Sequence, residues 1–229
     1  MTLGIMQPYF MPYIGYWQLM AAVDTYVVYD DVNYIKGGWV SRNNILLNGQ
    51  KHMFTITLNG ASPNKLFNEI TIKDDFKKFS RLIESAYKKA PYYEEVCALL
   101  ERIYLFEDRS LGAFMMNSFQ VVLDYLEIDT KLILSSSIEK DNSLKAKDKV
   151  KHICHLLGAD TYYNAIGGQE LYDKADFKAD GIDLRFIKTE LTPYSQFKNN
   201  FVSGLSMIDV LVFNSPTEIR NILDKYSLV

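Results

Sequence analysis

The sequence predicts an α/β fold: a Rossmann-like, mostly parallel sheet with a β-hairpin and an inserted helical section over residues 75–128. Three observations predict it. Short apolar runs alternate with amphipathic helical patterns at both ends of the chain, as parallel strands joined by crossover helices require. The Asn48-Gly49 pair lies between two segments of period-two patterning, a strong hairpin signal. From residue 75 to residue 126 the periodicity is helical. At 229 residues the chain fits one α/β domain, 1–229, since single cores persist to ~250 residues.

Each element follows from local pattern. Residues 3–6 are apolar and end at Pro8, which reads as a buried strand entering a loop. Over 14–23 apolar residues recur at helical spacing, and after Asp24 the run TYVVY has the composition of a buried parallel strand. The first 30 residues therefore read as a βαβ unit. Residues 40–58 carry the hairpin, NGASPNK is a turn-rich loop, and 69–72 is a short strand. The helical section follows, with Pro91 in one first turn and a later apolar face of Leu111, Met115, Phe119, Val122 and Leu126. Its apolar stripe serves a core or a homodimer face. Alternation then returns with a strand at 131–134, a helix at 145–157 stopped by Gly158, and strands at 161–164 and 183–187. Two helices separated at Pro216, with Ser215 as N-cap, close the chain.

Composition narrows the function. Apolar residues at 48% and charged residues at 23% are globular values, which argue against disorder and against a membrane protein. A net charge of −3 predicts no broad attraction to nucleic acid, although a local basic pocket is compatible with it. No apolar run nears the ~20 residues of a membrane span, and Met1-Thr2-Leu3 lacks the charged start of a secretion signal, so the cytoplasm is expected. Cys97 and Cys154 read as reduced core residues, and His52, His152 and His155 form no recognisable ligand set, so no metal is expected. Aromatic content is the anomaly at 14%, with 16 Tyr and 13 Phe, rings that serve both cores and wet binding surfaces.

The candidate site is built from four segments. In QPYFMPYIGY, Pro8 and Pro12 stiffen the loop, Gly15 admits a close approach, and the first helical amides beside Tyr13 and Tyr16 suit a phosphate. The alternative is that Tyr9, Tyr13 and Tyr16 simply cover the sheet end as core. Gln7 ends the first strand, and Asp30 and Asp31 end the second, at the carboxyl edge where open α/β sheets bind ligands. Successive strand residues face opposite sides, so at most one of the two carboxylates enters a given pocket. The alternative is a solvated turn. NYIKGGWVSRNN offers Lys36, Arg42 and Asn43 around two glycines, with Trp39 as a stacking face or as ordinary core. Asn164, Gly167 and Gly168 follow a strand and form either a ligand-admitting loop or a tight turn. Ser203 and Ser206 precede a helix that Ser206 can cap, and no GxSxG elbow surrounds them.

The segments MQPYFMPYIGYWQL, VYDDVNYIKGGWVSRNNIL, YYNAIGGQELYDKADFKADGIDLRFIK and NNFVSGLSMIDVLVFN together resemble the WbqC-like family, bacterial proteins often encoded in O-antigen and other surface-polysaccharide gene clusters. That resemblance spans nearly the whole chain. It implies work on a nucleotide-activated or phosphate-bearing sugar, with acyl or aminoacyl transfer to an amino sugar. CoA or an acyl carrier protein would then be the donor. In that chemistry Tyr13, Tyr16, Lys36 and Arg42 would anchor phosphate, and Asp30 or Asp31 would receive the amine proton. Tyr13-Ile14-Gly15-Tyr16 is also similar in placement to the HxGH motif of the nucleotidylyltransferase superfamily, which implies a nucleotidylyltransferase-like fold. Two phenols stand where that superfamily has imidazoles, and a neutral phenol cannot supply a cation to leaving pyrophosphate. Mg²⁺ would enter only with nucleotidylyl transfer. A non-catalytic module that binds a sugar nucleotide or an acyl carrier is the remaining reading.

Overall fold

The computed structural model describes residues 1–229. The chain opens with β1 (Thr2–Met6), α1 (Ile14–Ala21) and β2 (Thr25–Val28), with β1 and β2 parallel in the register Leu3 to Thr25. The hairpin is β3 (Arg42–Leu47) and β4 (Gln50–Thr55), with Leu47 opposite Gln50. Asn48 and Gly49 both take positive φ, 52° and 75°, the conformation that a two-residue turn matching strand twist demands. A short antiparallel pair, β5 (Leu58–Asn59) and β6 (Thr71–Ile72), leads to α2 (Lys77–Tyr87), α3 (Tyr93–Tyr104) and α4 (Leu111–Tyr125). Then come β7 (Lys131–Leu134), α5 (Ala146–Leu156), β8 (Thr161–Ala165), α6 (Lys174–Ala179) and β9 (Asp183–Thr189). The chain ends in α7 (Met207–Phe213), α8 (Pro216–Leu223) and β10 (Tyr226–Leu228).

The main sheet has six strands in the order β10-β9-β8-β1-β2-β7. Five are parallel, and β10 runs antiparallel on the β9 edge. Counted along the chain within this sheet, β7 is third, β2 second, β1 first, β8 fourth, β9 fifth and β10 sixth. The order reverses between β1 and β8. In a doubly wound sheet that reversal opens a crevice outside the carboxyl ends of the two strands, here after Met6 and after Ala165.

Alternation along the strands sends side chains to two cores. Leu3, Ile5 and Val27 pack with Val150, Ile153 and Cys154 of α5 and Phe177 of α6. Tyr26 and Val28 face the other way, into a cluster of 43 buried residues that also takes in α1, α2, α3, α4 and α7. The helices of the 75–128 section thus share the core that covers one sheet face. Trp17 and Phe119 meet edge to face at 5.5 Å inside it, a geometry that adds ~0.5–1.5 kcal/mol beyond burial. Gln18, fully buried, donates to the carbonyls of Ile222 and Lys225 at 3.1 and 2.7 Å and satisfies the end of α8. Ser215 and Glu218 form a capping box at its start, with Pro216 in the first turn. No helix is long and apolar enough to cross a membrane.

Candidate functional site

The loop after β1 is held by two distant segments. Phe10 N–H donates to the Val40 carbonyl at 3.0 Å, and Asn43 Nδ2 donates to the Met11 carbonyl at 2.6 Å. From the other side Ser206 Oγ donates to Met11 O at 2.8 Å and Met207 N–H to Pro12 O at 2.9 Å. Met11 takes φ 46°, a left-handed conformation that these bonds enforce on a non-glycine residue. The result is a cavity of about 230 Å³ walled by Tyr9, Tyr13, Trp39, Asn43 and Gly204. That is below the ~300–1,000 Å³ of sites for drug-sized ligands and suits one small ring or group. Trp39 is 53% exposed, so its face is offered to solvent instead of to the core.

Tyr13 and Tyr16 part company. Tyr13 is half-buried at the start of α1, and its ring folds back across Gly15 towards Thr189. The space that Gly15 leaves is thus filled by the protein itself. Tyr16 is 2% exposed, donates through Oη to the Gln7 carbonyl at 3.3 Å, and packs against Tyr9 and Phe119. Burial pushes its phenol well above the ordinary range. The expectation that Tyr13 and Tyr16 together anchor a phosphate is corrected for Tyr16: α1 has Gly15 to Met20 buried all round, so it has no wet face on which Tyr16 could sit.

The carboxylates also divide. Asp30 is 1% exposed and accepts from Ser136 N at 2.9 Å and Ser136 Oγ at 2.7 Å, tying β2 to the segment after β7. Gly112 of α4 packs directly on it. Asp30 is therefore fully engaged, contrary to its expected part in proton transfer. Asp31 faces a second cleft, ion-paired to Lys140 at 2.8 Å and Lys149 at 3.1 Å. Burial alone would raise its pKa, but Lys140, Ser135 and Lys149 outweigh it and hold the carboxyl below the usual range. A carboxylate held down in this way is a weak proton acceptor.

The remaining residues are placed as follows. Lys36 is exposed, and Arg42 donates through Nε to its own loop at Gly38 O, 2.7 Å away; neither lines the aromatic cavity, which corrects the expectation of a basic pocket there. Gln7 Nε2 reaches Asn33 O at 3.4 Å, and Pro8 is buried. Ser206 is fully buried and caps α7 by accepting from Ile208 N–H at 3.3 Å, so it has no ligand to meet; Ser203 is half-buried. Asn164 Oδ1 accepts from Ala165 N–H at 2.7 Å, and its amide lies 2.6 Å from where a Cβ on Gly168 would be. Gly168 thus accommodates Asn164, while Gly167 is open with no atom within 4 Å of such a Cβ.

Two features escaped the sequence. Lys140 gave no signal, but Lys149 stands beside Val150 and one turn from Ile153 on the buried side of α5, a charge on an apolar stripe. Asp209, whose place in the first turn of α7 reads only as an offset to the helix macrodipole, is instead fully buried, a hub that accepts from Tyr87 at 2.7 Å, Tyr194 at 2.7 Å and Gln196 at 2.6 Å. Burial raises its pKa despite those three bonds. It pins the 194–202 loop against α2 and α7. A larger cavity, about 890 Å³, is elsewhere, between α2 and residues 197–199. It is an open trough among surface lysines that no strand of the main sheet lines, and the buried polar groups at the sheet's carboxyl edge weigh more.

Over residues 7–221 the chain matches the WbqC-like protein family. It is 26% identical over 222 residues to an uncharacterized protein of Mycobacterium tuberculosis, Rv1507c, with 94% of each chain covered. No solved structure matches it.

Proposed function

This chain belongs to the WbqC-like protein family, and from that premise we propose that it acts on an activated sugar in bacterial surface-polysaccharide biosynthesis, transferring an acyl or aminoacyl group to an amino sugar. One observation carries the reading. Tyr9, Tyr13, Trp39 and Asn43, from two distant segments, meet Gly204 in one cavity at the carboxyl edge of a doubly wound sheet. An exposed indole beside phenols and an amide is a surface that stacks a sugar ring and bonds its hydroxyls.

Nucleotidylyl transfer is less well supported, because the second tyrosine of YIGY is buried and neither it nor Tyr13 can be cationic towards pyrophosphate. A non-catalytic binder of a sugar nucleotide is favoured by one specific observation: Asp30 is saturated and Asp31 is ion-paired, so neither is a strong base. A thermal-shift screen separates these readings. A ligand at 100 times its Kd stabilises by ~2.7 kcal/mol, which is ~5–11 °C for a chain of this size. Nucleotide sugars are expected to give that shift. Stabilisation by nucleoside triphosphate with Mg²⁺ and not by any nucleotide sugar would overturn the reading. Binding without turnover by any acyl donor would leave the binder.

A further inference from the structure

The cleft beside Asp31, about 400 Å³, differs in kind from the aromatic cavity. Both lysines bond the same oxygen of Asp31, Oδ2. The other oxygen, Oδ1, is buried and accepts no hydrogen bond from the protein, although the side chain is only 10% exposed. The Ser135 hydroxyl stands beside this carboxylate and helps hold its proton off, yet it too is buried without a partner in hydrogen-bonding geometry. The other two buried carboxylates of the fold are satisfied on both oxygens. Asp30 takes Ser136 N on Oδ1 and Ser136 Oγ on Oδ2. Asp209 takes Tyr87 on Oδ1, with Tyr194 and Gln196 on Oδ2. Asp31 Oδ1 and Ser135 Oγ are thus an acceptor and a donor left open on one wall, and a ligand that turns the carboxylate toward the cleft would satisfy the acceptor.

The cations narrow what that donor is. Lys140, whose side chain is 1% exposed, spends its three N–H groups on the Ser135 and Ile138 carbonyls and on Asp31. Lys149 gives one bond to Asp31 at 3.1 Å and keeps two donors for a ligand. A ligand must therefore donate to Oδ1 and accept from Lys149 within one small space. Phosphate is disfavoured: although H2PO4⁻ and HPO4²⁻ keep a P–OH that can donate, either one brings its negative charge against the ionised Asp31 carboxylate. A hydroxyl both donates and accepts, and two adjacent hydroxyls fill both positions. Asn68, Asn142 and Ser136 add amides and a hydroxyl to the wall, and Ile138 adds an apolar strip for a C–H face.

We propose that the cleft at the end of β2 is a saccharide subsite that holds vicinal hydroxyls of a pyranose between Asp31 Oδ1 and the Lys149 ammonium. It rests on the reading above, in that it names the part of the activated sugar this cleft takes. The test is saturation-transfer NMR and calorimetry on the full chain with methyl glycosides of glucose, galactose, mannose, N-acetylglucosamine and glucuronate, and with inorganic phosphate. At least one pyranose is expected to bind in the millimolar range, and phosphate alone is not. Asp31→Asn strips Lys140 of its counter-ion and risks unfolding, so Lys149→Met and Asn68→Ala carry the test. Each is expected to weaken the pyranose ~10-fold, the equivalent of one lost hydrogen bond to a charged or buried group. No pyranose binding to the native protein, or unchanged affinity in both variants, overturns the subsite. The two proposals fail separately. If pyranoses bind and Lys149→Met weakens them while no nucleotide sugar shifts Tm, the subsite stands and the activated-sugar reading falls. If nucleotide sugars bind equally to both variants, the reading stands and the subsite falls.

Discussion

Gly15→Ala tests how the loop after β1 is built. A Cβ at Gly15 would lie 2.3 Å from Thr189 Oγ1 and 2.6 and 2.7 Å from Oη and Cε2 of Tyr13. Favourable contacts lie at ~3.5–4.0 Å, so the Tyr13 ring and Thr189 must each retreat by ~1 Å. Gly15 is buried, with β9 on one side and its own helix on the other, so retreat means off-rotamer side chains or a shifted α1. Overpacking of this kind costs ~1–3 kcal/mol relative to a Gly→Ala change in open space, and at ~2–4 °C per kcal/mol for a chain of this length Tm falls ~2–12 °C below that of such a control. Because the displaced ring is a wall of the aromatic cavity, ligand affinity is expected to fall with it. Gly167→Ala is the control, since nothing lies within 4 Å of its Cβ; lower unfolded-state entropy makes it neutral or stabilising by ~0.4–1 kcal/mol. Differential scanning calorimetry of both variants decides. Equal Tm for Gly15→Ala and Gly167→Ala would refute the packing described for Tyr13.

Asp31→Asn leaves the nearly inaccessible Lys140 without its counter-ion and is expected to lower stability by ~3–5 kcal/mol in urea unfolding. Asn43→Ala removes the 2.6 Å bond to Met11 O and is expected to cost ~1–3 kcal/mol, read in the same assay. The pH dependence has two opposing parts. Asp31, depressed in the fold, contributes stability that is present above the ordinary carboxyl pKa of ~3.9 and is lost as pH falls through its folded value. Asp209, raised in the fold, binds its proton more tightly folded than unfolded, so stability falls as pH rises from ~3.9 through that raised value. Asp209→Asn is expected to abolish this second slope while lowering stability throughout, because an amide nitrogen cannot accept from Tyr194 or Gln196. Tm measured from acid to neutral pH would show an unchanged slope if Asp209 did not titrate in this way.

Much of the fold was legible because burial imposes period on sequence. TYVVY, the Asn48-Gly49 hairpin, the stripe from Leu111 to Leu126 and the Pro216 helix start all became the elements their patterns implied. β10 was not legible, since three residues on an edge carry no periodic signal, and α6, of six residues, hid inside a charged run. At the carboxyl edge, strand ends pointed to Gln7, Asp30, Asp31 and Asn164, and Tyr9, Tyr13, Trp39 and Asn43 do share one cavity. What local pattern cannot tell is which side of a short buried helix is wet, and so Tyr16 was misplaced. Partners supplied from far along the chain are equally silent: Ser136 reaches Asp30 across 106 residues and Lys149 reaches Asp31 across 118.

The two tryptophans give the most direct test that ligand is held at this edge, because Trp17 is fully buried while Trp39 is 53% exposed beside the cavity. Titration with a nucleotide sugar found to bind by calorimetry is expected to change tryptophan emission saturably at the same Kd, and Trp39→Phe is expected to abolish the change. Calorimetric binding that leaves the emission of the native protein untouched would place the ligand elsewhere and contradict the account.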